Sequence, residues 1–81
     1  MRSKGNAHMD EDNIDEVLLT HLILMRKRLD QAAALGHAAE ACGKAGDVSK
    51  AITIALDVEQ LSYEVNTLLN AGSLLNRIVR S

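Results

Sequence analysis

Eighty-one residues with nine Lys and Arg against eleven Asp and Glu carry a net charge of −2, which removes any global pull toward nucleic acid or an anionic membrane. A chain this short buries only about 60% of the surface its unfolded form exposes. The usual staples are missing: a single Cys excludes an internal disulfide, and His21, His37 and Cys42, the only candidate metal ligands inside the helices, are too few for a self-sufficient zinc site.

One Tyr and no Phe or Trp leave Leu, Ile, Val and Ala to build a core, so a partner chain is expected to complete it. Residues 1–12 read as a disordered leader, and the His8-Met9 pair fits a cloning junction with Met9 as the natural start. No apolar signal core follows Arg2 and Lys4, which makes the cytoplasm the expected location. The apolar run over 17–25 is broken by Thr20 and His21 and is far below the roughly 20 residues a membrane span needs.

An all-α hairpin follows from the punctuation. Asn13 suits an N-cap with Glu16 three residues on, as in a capping box, so helix 1 is expected over about 14–43. A turn over about 43–47 uses Gly43 and Gly46, then Asp47 as the next N-cap. Helix 2 is expected over about 48–79, with Arg77 and Arg80 at its negative end. Along helix 1, Ile14, Leu18, Leu22, Met25, Leu29, Ala32 and Gly36 recur at steps of four and three, as one helical stripe does. Helix 2 has a matching stripe in Ile54, Val58, Leu61, Val65, Leu68, Gly72, Leu75 and Val79. Antiparallel pairing sets Leu18 against Gly72, Met25 against Val65 and Ala32 against Val58. The same register brings the acidic beginning to Arg77 and Arg80, and the basic triplet Arg26, Lys27 and Arg28 to Glu64.

Two stripes do not use up the apolar residues. Val17, Leu24, Leu35 and Cys42 form a second line about 110° around helix 1, and Val17, Leu24 and Leu35 are assigned to the interface of a homodimeric four-helix bundle. Ile52, Leu56, Tyr63 and Leu74 lie nearly opposite the helix 2 seam, and Leu19 with Ile23 adds a further patch. These six are assigned to binding another protein, although a dimer core could also absorb them.

No catalytic, cofactor or metal site is expected, and no enzyme. His37 and Cys42 point to different faces of helix 1, Cys42 lacks an activating base, and Asp15 with Glu16 is explained by capping and the helix dipole. Arg26, Lys27 and Arg28 spread around the helix without an aromatic neighbour, so a solvated belt explains them better than a phosphate clamp.

Ile52, Leu56 and Val58 followed by Val65-Asn66-Thr67-Leu68-Leu69 give the second helix a pattern similar to the C-terminal helix of the TraM type of bacterial quorum-sensing antiactivator. With two helices over 14–79, the chain resembles that type and the smaller QseM type in architecture, departing from TraM in its shorter N-terminal part and its Ala/Gly-rich turn. The resemblance implies a protein that binds a LuxR-type transcription activator and stops it acting on DNA, with no direct nucleic-acid contact of its own. The alternative is a small export chaperone, similar to the hairpin co-chaperones of type III secretion needles.

Overall fold

The computed structural model describes residues 9–80, with side chains from Asn13 onward. Two helices make the whole of it, α1 over Met9–Lys44 and α2 over Val48–Arg80, and they lie antiparallel in a body of 62 × 20 × 13 Å. At 1.5 Å per residue their 36 and 33 residues run about 54 and 50 Å, somewhat longer than the expected spans. Among the described residues neither helix is long and apolar enough to cross a membrane.

The extra length is at the start. Residues 9–12, expected in the leader, are helical, and Asn13 lies inside α1 instead of capping it; residues 1–8 lie outside the described residues. Asp10, Glu11 and Asp12 suit the positive end of a helix dipole, so the acidic run extends the helix and does not precede it.

The turn is built as its sequence demands. Gly46 adopts φ 98°, a left-handed conformation that costs a Cβ-bearing residue roughly 1–2 kcal/mol. Its N–H donates to the Gly43 carbonyl and that of Asp47 to the Cys42 carbonyl, each at 3.0 Å, the double bond pattern of a Schellman C-cap. Asp47 then starts α2 directly, its Oδ1 accepting from the Lys50 N–H at 3.0 Å. Three residues therefore reverse the chain and leave little freedom in the register.

Along α2 every position expected in the seam is half-buried, from Ile54 through Leu61, Val65, Leu68 and Gly72 to Val79, and Glu64 joins them. Leu18 meets Gly72, where an added Cβ would lie 3.5 Å from Leu18 Cδ2. On α1 the seam is rotated from expectation. It runs through Ile14, Leu18, His21, Met25, Arg28, Ala32, Leu35, Ala39 and Cys42, in alternating steps of four and three. Leu22 and Leu29, placed in the seam by their hydrophobicity, face outward at 59% and 53% exposure, and Gly36 is exposed too. A helix turns as a rigid body: facing Leu35 and Cys42 toward α2 near the turn, where Gly36 would offer less surface, brings His21 and Arg28 round with them.

Only Ala51, at 8% exposure, is buried among the described residues, packed where Gly43 lets the helices come close. Leu68→Asp, which puts a charge into the seam, should cost at least about 2 kcal/mol of stability in urea unfolding. Gly46→Ala should cost about 1 kcal/mol by the same measurement; a variant as stable as wild type would contradict the left-handed turn.

Candidate functional site

Two long helices side by side have two broad faces, one to each side of the seam. Positions one step beyond the seam, taken at 100° per residue, decide which face a side chain joins.

The first face gathers Val17, Leu24 and Gln31 of α1 with Asp57, Gln60, Glu64, Thr67 and Leu74 of α2. A groove of about 260 Å³ lies on it, lined by Leu24, Arg28, Tyr63, Glu64, Thr67 and Leu68. Further toward the turn a second depression of about 520 Å³ is lined by Gln31, Ala34, Leu35, Asp57, Gln60 and Leu61. Between apolar floor and solvent stands an ion pair, Arg28 Nε to Glu64 Oε1 at 2.7 Å, with both side chains about a third exposed. Arg28 thus spans the seam with its aliphatic stem and delivers its guanidinium to the rim, which is how a cation sits in an apolar stripe. Tyr63 rises beside the pair at 67% exposure, the most exposed large apolar side chain described.

This grouping changes the expected division of labour. Leu24 and Leu35, assigned to a dimer interface, are half-buried and line the same two depressions that Tyr63 and Leu61 line. Val17 is exposed on the same face near the helix ends. Of the six residues assigned to a partner, all are exposed, but they do not form one patch. Leu56 and Tyr63 share the outer line of α2, with Ile52 next to it and Leu74 on the Tyr63 side. Leu19 and Ile23 belong to α1 at the levels of Ala71 and Thr67, about 28 and 22 Å from Ile52 by helical rise.

The second face was not expected as a unit, because Leu22 and Leu29 were placed in the seam, Leu19 in a separate patch with Ile23, and Leu69 in neither. Leu19, Leu22 and Leu29 of α1 and Leu69 of α2 stand exposed on it. A groove of about 260 Å³ runs among Leu18, Leu22, Met25, Leu68 and Leu69, edged by His21, Ser73 and Asn76. His21 is tied down: its Nδ1 lies 2.9 Å from the Val17 carbonyl, and because a carbonyl only accepts, Nδ1 carries the hydrogen.

Among the described residues no group of three or more His, Cys, Asp or Glu side chains comes together, and Cys42 is a half-buried free thiol in the seam. The basic triplet is dispersed: Arg26 pairs with Asp30 at 2.7 Å on its own helix while Arg28 crosses to Glu64.

The Arg28–Glu64 pair should show a coupling of about 0.5–1 kcal/mol in a double-mutant cycle of Arg28→Ala and Glu64→Ala read by thermal melting. The coupling should shrink as salt is raised. Zero coupling at low salt would mean that the pair does not form in solution.

No family model, curated protein or solved structure matches this chain.

Proposed function

We propose that the chain is a protein-binding module, and specifically an antiactivator that docks on a LuxR-type transcription activator and holds it from its DNA. The observation that carries the binding part is Tyr63: the chain's one aromatic side chain stands at 67% exposure on the lip of an apolar groove, with a charge pair beside it. Binding energy at protein interfaces concentrates in a few aromatic and aliphatic anchors ringed by polar groups, and this corner has that composition. Tyr63 offers its ring to an apolar pocket of the partner. Leu24 and Leu68 form the floor on which a partner's apolar side chain would rest, and Leu56 continues the contact toward the turn.

The choice of a LuxR-type activator rests on the resemblance of the second helix to the TraM type, on the very segment that carries Ile52, Leu56 and the Val65–Leu69 run. Inhibition in this reading needs no chemistry. A rod of 62 Å laid on an activator covers a large surface, and a partner held in that complex is removed from DNA by mass action.

Leu56→Lys and Tyr63→Ala should each keep wild-type helicity by circular dichroism while weakening binding to a LuxR-type activator by about 2 kcal/mol, roughly thirtyfold. The measurement is a titration of wild type and both variants against the activator. Equal affinity across the three would remove Tyr63 and Leu56 from the mechanism. No binding by wild type would remove the antiactivator reading and favour the export chaperone.

A further inference from the structure

The turnward depression on the Tyr63 face has a chemistry of its own, set by where the neighbouring hydrogen bonds point. Arg28 gives its Nε–H to Glu64 Oε1 at 2.7 Å and one Nη to Gln31 Oε1 at 3.4 Å. Gln60 Nε2 lies 3.1 Å from the other Glu64 oxygen, and because a carboxylate only accepts, the Gln60 NH2 faces Glu64 and leaves its carbonyl oxygen over. Glu64 is thereby occupied at both oxygens. Asp57 lines the depression one turn before Gln60, exposed and with no ion pair among the described residues, whereas Glu64 on the same face has one. No cation stands within reach of it: Thr53 and Leu61 lie one turn away on α2, and α1 offers Gln31, Ala34 and Leu35 across the depression. A carboxylate without a counter-charge and an unused carbonyl thus stand over an apolar floor of Ala34, Leu35 and Leu61.

The two depressions of this face also repeat. Asp57, Gln60 and Leu61 line the one, and Glu64, Thr67 and Leu68, each seven residues on, line the Tyr63 groove. Seven residues span about 10.5 Å of helix. A helix laid along the seam meets such a wall with side chains that recur every seven residues, as knobs meet holes in a coiled coil. An extended segment repeats its facing side chains at about 6.6 Å and falls out of step.

We propose that the occupant of this face is an amphipathic helix of the partner, which sets an apolar side chain into the Tyr63 groove and, seven residues away, an arginine over Asp57. The inference rests on the reading of this face as a protein-binding site and names the partner's chemistry there. The groove over Leu24 and Leu68 takes the apolar side chain, because Arg28 and Glu64 at its rim already satisfy each other. The depression takes arginine for two reasons. Its aliphatic stem covers Ala34, Leu35 and Leu61, and its planar guanidinium donates to Asp57 and to the Gln60 carbonyl at once. Lysine offers a compact charge without that fork, and a partner carboxylate would be repelled by Asp57.

The probe is a fluorescein-labelled helical peptide, stapled on its outer face, with leucine and arginine seven residues apart, titrated with the full chain by fluorescence anisotropy. Replacing the peptide's arginine by alanine, or moving it to five residues from the leucine, should weaken binding by about tenfold. Asp57→Asn should weaken the arginine peptide by about tenfold and leave the alanine peptide unchanged, with circular dichroism of the chain unaltered because Asp57 is exposed. Asp57→Lys should in turn bind a peptide carrying glutamate in place of arginine. A chain that binds none of these peptides, or binds the arginine and alanine peptides equally, would overturn the proposal. So would an Asp57→Asn variant that weakens both alike. Self-association of the chain that Asp57→Lys abolishes would give this face to a second copy, and would overturn it too. An activator that binds wild type while the peptides fail to discriminate sinks this inference alone, and peptides that discriminate without any binding of the activator sink only the antiactivator reading.

Discussion

The structure depends on the three-residue reversal at Ala45, Gly46 and Asp47. Gly46 at φ 98° closes the carbonyl end of α1 with the hydrogen bonds at Gly43 and Cys42, and Asp47 opens α2 in the same stroke. So short a connection fixes which residues of two 50 Å helices lie abreast, and every cross-helix contact follows from it. The Arg28–Glu64 pair and the Asp15–Arg80 pair, the latter at 2.6 Å near the far ends, both obey that register. The turn contributes orientation more than energy, because exposed ion pairs at the ends are worth little by themselves.

What the register imposes on α1 is a compromise. Burying Leu35 and Cys42 near the turn drags His21 and Arg28 into the seam farther along, and pushes Leu22 and Leu29 out. Both polar side chains are accommodated without an orphaned group: Arg28 reaches Glu64, and His21 donates to the Val17 carbonyl. The displaced leucines are the cost, and they are left on a surface that water does not favour. The same rotation that makes a continuous seam therefore produces the second face.

Two faces of different character result. The Tyr63 side mixes an apolar floor with Arg28, Glu64, Gln31, Asp57 and Gln60, a composition that stays wet when empty and can still hold a partner. The leucine side has few charges away from its rim and a groove lined mainly by Leu and Met. The first composition tolerates water between its apolar and charged groups, and the second gives water few polar groups to bond.

Much of the architecture was legible before any coordinates: two helices, the turn chemistry of Gly46 and Asp47, the whole seam of α2, and the meeting of Leu18 with Gly72. These are local or periodic properties, set by capping, backbone freedom at glycine and the repeat of apolar side chains along one helix. The facing of α1 was not legible, because Leu22 and His21, or Leu29 and Arg28, are neighbours in sequence and hydrophobicity alone picks the leucine. Only packing against α2 weighs the whole helix at once, and it gave the seam to the residues near the turn. That choice assigned Leu24 and Leu35 to the Tyr63 side and freed Leu22 and Leu29 for the other, since a rigid helix cannot face its partner differently at its two ends.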